Sequence, residues 1–252
     1  MALVGVDPAL RAPLAAGLPS GLRVRTCRSA DRLDTLLAGT LVDAVIVPAH
    51  GDWLGVVAEL RQRFPRIPVF AYGPIRADDG ERLAVAEAAG VQDVLVEGVD
   101  EPVAGELVAA RGASRQRARE LADAPRLLRL GEALQRAVWA IALETAGARL
   151  TTGDLARRIG TSREHLSREF AAGGAPNLKR VIDLARVACA ADLLRNPGYA
   201  VNVCARILGF SGAGHLAGTA RRIAGIPSRE LGRVGPRGVL QRFLRGRTRS
   251  RI

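Results

Sequence analysis

The chain has 252 residues, 48% of them apolar, and 37 basic against 25 acidic side chains give it a net charge of +12. The apolar content suffices for one or two buried cores and excludes disorder along the whole chain. Three cysteines, Cys27, Cys189 and Cys204, with no CxxC pair argue against a disulfide framework and a cysteine zinc site, and no apolar run approaches the roughly 18–20 residues of a membrane span.

The first residues, MALVGVDPALR, have no basic start and no cleavage pattern, so they read as a first strand and not as a signal peptide. A cytoplasmic protein without membrane contact is expected. Short apolar runs at 2–6, 22–27, 43–47, 67–71 and 93–96 predict five strands. Between them, apolar residues at three-and-four spacing predict helices over 8–16, 30–37, 53–64 and 79–89, with a last one over 101–110. Five β–α units imply a parallel sheet covered on both faces. From Ser114 to Arg126 the composition shifts to SRQRARELADAPR, which reads as a charged linker, spanning 112–126, with a helical form left open. Beyond it strand patterns cease. Helices are predicted over 127–145, 152–159, 162–171, 177–194, 201–208, 213–223 and 228–234, parted by breaks rich in glycine, proline or threonine, among them Gly147 and Gly173. The segment from Arg237, with six arginines and no acid, reads as a flexible basic tail over 236–252.

Charge divides unevenly. Residues 1–112 hold 11 basic and 15 acidic side chains, a net −4, and residues 113–252 hold 26 and 10, a net +16. So large an asymmetry predicts a polyanion, most simply double-stranded DNA, as partner of the second half.

That half contains a repeat. Ala156, Gly160 and Ser162 recur 49 positions on as Ala205, Gly209 and Ser211, and His165–Leu166 recur 50 positions on as His215–Leu216. The small residue lets one helix pack closely on the next, the glycine supplies a positive-φ turn, and the serine caps the following helix. This is the logic of a helix-turn-helix, whose second helix enters the major groove. Between the copies, the helix predicted over 177–194 would span about 27 Å, near the ~34 Å between successive major-groove faces.

These residues resemble the DNA-binding domain of AraC-family transcription regulators over about 127–235, through LARRIGTSREHLSREF, the connector VIDLARVACAADLL with Arg186 and Ala190, and VNVCARILGFS, whose Gly-Phe-Ser triplet is Gly209–Ser211. The resemblance implies two base-reading helices, 162–172 and 212–224. It makes Ser162, Arg163, Glu164, His165 and Arg168 of the first, and Gly212, Ala213, His215, Thr219, Arg221 and Arg222 of the second, the candidate DNA contacts. In the first, arginine can pair bidentately with guanine and Glu164 can accept from cytosine; Glu164 and Arg168 are also spaced for a mutual ion pair. Arg221 and Arg222 are expected on phosphates. The chain departs from the family at Leu216, Gly218 and Ala220, and at Pro227–Ser228, where the usual Ser-Pro order is exchanged. Gly214 and Gly218 offer no side chain to a base, so the first motif is expected to read sequence and the second to hold the backbone. His165 and His215 lack further ligand-type neighbours and are not read as a metal pair; Cys189 and Cys204 fall on apolar faces and read as small core residues. No metal or cofactor is expected.

The β–α order of 1–111 is similar to that of response-regulator receiver domains, with their flavodoxin-like fold. This implies a five-stranded parallel sheet in the order 2-1-3-4-5 ahead of the all-α second half. The receiver chemistry is absent from the sequence: only Asp7 follows the first strand, Pro48 stands at the phosphoacceptor position, Gly73 replaces the hydroxyl residue after the fourth strand, and Glu97-Gly98 replaces Lys-Pro. Aspartyl phosphorylation is therefore not expected. The carboxyl rim of such a sheet, with Asp7, Pro48, His50, Asp52, Tyr72 and Gly73, is the place for a small-molecule signal, while homodimerisation through the fourth and fifth units, or a protein signal, is the other role open to this half. An enzyme is not expected, since there is no GxGxxG after the first strand, no P-loop and no Ser/His/Asp set. Two functions stay open: a sequence-specific transcription regulator, and a non-specific architectural DNA-binding protein.

Overall fold

The computed structural model describes residues 1–5, 8–18, 23–49, 53–76, 78–145, 150–171 and 174–249. Asp7, His50 and Asp52, the breaks at Gly147 and Gly173, and the expected helix end at Ala172 lie outside the described residues. The chain divides into two compact units, 1–116 with 196–198, and 117–195 with 199–252.

In the first unit, strands β1 (Ala2–Val4), β2 (Arg25–Cys27), β3 (Val45–Pro48), β4 (Val69–Gly73) and β5 (Asp93–Val96) form an all-parallel sheet in the order β2-β1-β3-β4-β5. A 3-10 turn (Pro8–Leu10) leads into α1 (Arg11–Ala16), and α2 (Ala30–Gly39), α3 (Trp53–Arg63), α4 (Gly80–Ala88) and α5 (Glu101–Arg111) alternate with the strands. Strands β1, β3 and β4 are apolar on both faces, as buried parallel strands must be. Ile46 and Phe70 join Leu10, Leu14, Ala104 and Val108 in the core under α1 and α5. Val45, Val47, Val69 and Ala71 point the other way and are equally buried, toward the side where right-handed crossovers carry α2, α3 and α4. Pro48 is buried at the end of β3, in register with Tyr72.

The second unit is helical: α6 (Ala113–Glu120, beginning just before the boundary), α7 (Ala124–Leu127), α8 (Ala133–Glu144), α9 (Thr152–Ile159), α10 (Arg163–Ala171), α11 (Leu178–Leu193), α12 (Val201–Ile207), α13 (Ala213–Ala224) and α14 (Leu231–Arg249), the last preceded by a 3-10 turn (Ser228–Glu230). Its axis is α11, capped by the Asn177 side chain on the Arg180 N–H (2.9 Å). Thirteen of its sixteen residues are buried, because Ala185, Ala188, Cys189, Ala190 and Ala191 let neighbouring helices approach from several sides.

Three expectations are corrected here. The stretch read as a linker is packed: Leu121 and Ala124 are buried, and Arg117, 1% exposed, pairs with Asp192, 3% exposed, at 3.0 Å. Arg195 adds a bond to Glu120 at 2.8 Å. The helix expected over 127–145 begins only at Ala133, as α8: the preceding α7 ends at Leu127, and Arg129 turns the chain with a positive φ of 56° ahead of Gly131. Finally, the basic tail is helical as far as Arg249. Gly235 (φ 63°) kinks α14, Pro236 restarts it, and Val239, Leu240 and Phe243 are buried between the arginines.

Candidate nucleic-acid interface

Both copies of the sequence repeat fold into the same local geometry. In the first, Thr151 and Asp154 form a capping box at the start of α9: Thr151 N–H donates to Asp154 Oδ2 (3.0 Å) and Asp154 N–H to Thr151 Oγ1 (3.1 Å). The Thr151 hydroxyl, then its N–H, hold the Asp154 carboxyl below the ordinary aspartate range. The charged cap is therefore in place at neutral pH and is lost only as pH falls through that lowered value. Gly160 (φ 71°) ends α9, and the Thr161 N–H returns to the Ala156 carbonyl at 3.0 Å. In the second copy Gly209 (φ 66°) follows α12, and the Phe210 N–H returns to the Ala205 carbonyl at 2.8 Å. A side chain at either glycine would meet the steric penalty of the left-handed region.

The two following helices begin differently. Ser162 caps α10, accepting from the His165 N–H at 3.0 Å. At α13 the extra residue, Gly212, has no side chain to cap with, and His215 reaches back instead: its Nδ1 lies 3.4 Å from the Ser211 nitrogen, which donates to it, and 3.2 Å from Ser211 Oγ. The imidazole packs edge-on to Phe210, centroids 5.3 Å apart. On Phe210 also stands Arg186, its guanidinium 4.0 Å from the ring centroid, donating to the Leu208 carbonyl at 2.8 and 3.2 Å. The Gly-Phe-Ser triplet is thus a joint in which α11, α12 and α13 are pinned together. His165 and His215, equivalent in sequence, have different surroundings, and among the described residues no cluster of three His, Cys, Asp or Glu side chains offers a metal site.

On α10, Leu166 and Phe170 turn inward while Arg163, Glu164, His165, Ser167 and Arg168 are exposed. No ion pair joins Glu164 to Arg168 among the described residues, so both are available to a partner. On α13, Leu216, Ala220 and Ile223 turn inward, and Gly214, His215, Gly218, Arg221 and Arg222 form the outer face; Gly212 is exposed and Ala213 half-buried. Thr219 is a correction: at 2% exposure it belongs to the core, because it lies three residues after Leu216 and four before Ile223, on the inward stripe. Ser167 of α10 and Arg222 of α13 both line a hollow of about 420 Å³ formed mainly by the start of α11, with Lys179, Arg180 and Asp183. Arg222 is held there by Asp183 at 2.8 Å.

Cysteine chemistry plays no part in this surface. Burial pushes the Cys189 thiol up to about 11 and the Cys204 thiol up to about 12, so both stay protonated at neutral pH.

A Cβ added to Gly214 or Gly218 would meet nothing within 4 Å. The double substitution Gly214→Ala/Gly218→Ala is therefore expected to stabilise the unit by roughly 1 kcal/mol per site, the helix-propensity difference. A urea melt showing no gain would mean that these glycines serve the fold after all.

In the first unit, the hydroxyl of Tyr72, a residue in register with Pro48 at the end of β3, donates to Glu101 Oε1 at 2.7 Å, which also accepts from the Gly98 N–H at 2.7 Å. Glu101 is held below the ordinary glutamate range by these bonds, the Gly98 N–H first. Among the described residues no helix is long and apolar enough to cross a membrane.

The helix-turn-helix geometry has a counterpart among known families. Residues 155–233 match a family described as a helix-turn-helix domain, a segment that begins in α9 and ends early in α14. No curated protein matches the chain. Among solved structures, full-length FixJ from B. japonicum shows a loose likeness, with a TM-score of 0.37 and 17% identity over 73% of this chain and 94% of that one. Residues 155–233 form a helix-turn-helix domain of the AraC type, and the chain is a DNA-binding transcription regulator that carries this domain behind a doubly wound α/β unit of flavodoxin-like strand order.

Proposed function

We propose that the second unit reads specific DNA sequences with two helix-turn-helix motifs, α9–α10 and α12–α13, and that the first unit pairs two copies of the chain without being phosphorylated. The observation that carries the reading is the repeated geometry: in both motifs a positive-φ glycine, Gly160 or Gly209, sets a second helix with an exposed face, Arg163, Glu164, His165 and Arg168 on α10 and His215, Arg221 and Arg222 on α13. Between them α11, about 24 Å long by its sixteen residues, acts as the spacer. Arg163, Glu164, His165 and Arg168 supply side chains for base edges, while the glycines of α13 leave that helix to hold the backbone.

Pairing is supported by the placement of the exposed large hydrophobic side chains among the described residues, Val85, Val99, Val103 and Leu107. The last three recur every four residues, Val99 just ahead of α5 and Val103 and Leu107 on it, and Val85 lies on α4. These helices flank β5, the edge strand of the sheet. Glu87 and Glu106 on the same two helices, with Arg82 and Arg111, which pair with Asp79 and Asp93, keep this face free of a single-sign charge that would repel a second copy in a two-fold contact. A second copy is therefore its proposed occupant.

Selection of bound duplexes from a random library tests both statements. The expected result is one enriched motif repeated as two half-sites, with Val103→Glu/Leu107→Glu reducing it to a single half-site and the chain to a monomer in sedimentation. Recovery of no enriched motif would favour the architectural reading, and an unchanged dimer in the double variant would remove the proposed contact.

A further inference from the structure

Past the matched domain, α14 builds a second basic surface. Its buried side, Val239, Leu240 and Phe243, packs into the helical unit, while Arg242 and Arg245 stand toward Arg180 at the start of α11 and Arg221 and Arg222 at the end of α13. The five arginines line a cleft of about 650 Å³ floored by Ile223, Ala224 and Phe243, and no carboxylate lines it among the described residues.

Two features point to an anion there. Like charges gathered round one depression repel each other, and among the described residues only Arg222 has a carboxylate partner, Asp183, while Arg180, Arg221, Arg242 and Arg245 have none. Lys179 and Arg180 also sit in the first turn of α11, where the helix dipole disfavours cations. The guanidiniums are held in place: the Phe243 ring lies 5.0 Å from that of Arg180, and Asp183 fixes Arg222. The cleft is continuous with the hollow at the start of α11, since Arg180 and Arg222 line both. The basic surface thus runs from Ser167 on α10, past the start of α11, to the end of α13 and onto α14.

We propose that this arginine cleft is a clamp for phosphodiester groups, holding the sugar–phosphate backbone of the bound duplex beyond the reach of the two base-reading helices. The inference rests on the DNA reading above. It assigns to α14, which lies mostly outside the matched domain, a share of affinity that carries no sequence information.

The test is the salt dependence of binding to a short random-sequence duplex, measured by fluorescence anisotropy on the full chain. Each phosphate contact contributes about 0.9 to the slope of log affinity against log salt. Arg242→Gln/Arg245→Gln is expected to flatten that slope by about 1.8, and Arg221→Gln, outside α14, by about 0.9. The control Arg28→Gln/Arg32→Gln, on the first unit, is expected to leave it unchanged. A selected site and the random duplex should weaken by the same factor. If the wild type binds duplex and both cleft variants keep its slope, the clamp is wrong. It is equally wrong if tripolyphosphate binds the wild type in calorimetry and is lost in the variants while the slope stays, since the cleft would then serve a free anion. If the wild type binds no duplex at all, the DNA reading itself fails, and the clamp with it.

Discussion

Replacing Asp192 by alanine is expected to cost the helical unit about 3–5 kcal/mol, because it leaves the Arg117 guanidinium charged, buried and without its carboxylate. The pair is closed to solvent, at 1% and 3% exposure, with its oxygen and nitrogen 3.0 Å apart. The same physics predicts that Arg117→Met/Asp192→Leu, which removes both charges and keeps the volume, is close to neutral or stabilising. Since the chain has two units, the transition must be assigned: Trp139 is buried in α8 and reports on the helical unit once Trp53, on α3 of the other unit, is replaced by phenylalanine. A loss below about 1 kcal/mol for Asp192→Ala would show that water reaches the pair.

That ion pair also marks where the sequence ceased to be informative. The stretch SRQRARELADAPR has the composition of a solvated linker, and although Arg117 is in phase with Ala113, Leu121 and Ala124, which are buried, nothing near it supplies the carboxylate that a buried arginine needs. Its burial depends on an aspartate 75 positions on, which no helical period can reveal. The helical end of the chain was more legible than its arginines suggest. Val239, Leu240 and Phe243 have the one-and-four spacing of an apolar stripe, and charge counting hid it. Thr219 was readable in the same way, from its phase between Leu216 and Ile223. The parallel sheet followed from the regular β–α alternation, because right-handed crossovers leave few alternatives. The repeat was legible because Gly160 and Gly209 carry backbone conformations few other residues adopt. What the repeat concealed was the difference between its histidines: His215 closes the joint with Ser211 and Phe210, and His165 does not, a consequence of the one residue inserted at Gly212.

Within α10, Arg163 and Arg168 should separate sequence reading from mere attraction to DNA. Both are exposed on the outer face, and α10 is anchored beneath them by Leu166 and Phe170, so their removal leaves the helix in place. A bidentate arginine–guanine contact is worth about 1–3 kcal/mol of discrimination. Arg163→Ala and Arg168→Ala are therefore each expected to lower affinity for a selected site by roughly 5- to 150-fold while altering random-duplex binding far less. The arginines of the cleft make the opposite pattern: equal weakening on both duplexes and a flatter salt slope. Affinities for a selected and a random duplex at one salt concentration, repeated across a salt series, place each arginine in one class or the other. An Arg163→Ala chain that weakens equally on both duplexes would remove that residue from base reading and move it among the phosphate contacts. The glycines of α13 sharpen the contrast. With Gly214 and Gly218 on its outer face, α13 has few side chains to lose, so base discrimination must concentrate on α10, and the two alanine variants there should account for most of the preference the chain shows.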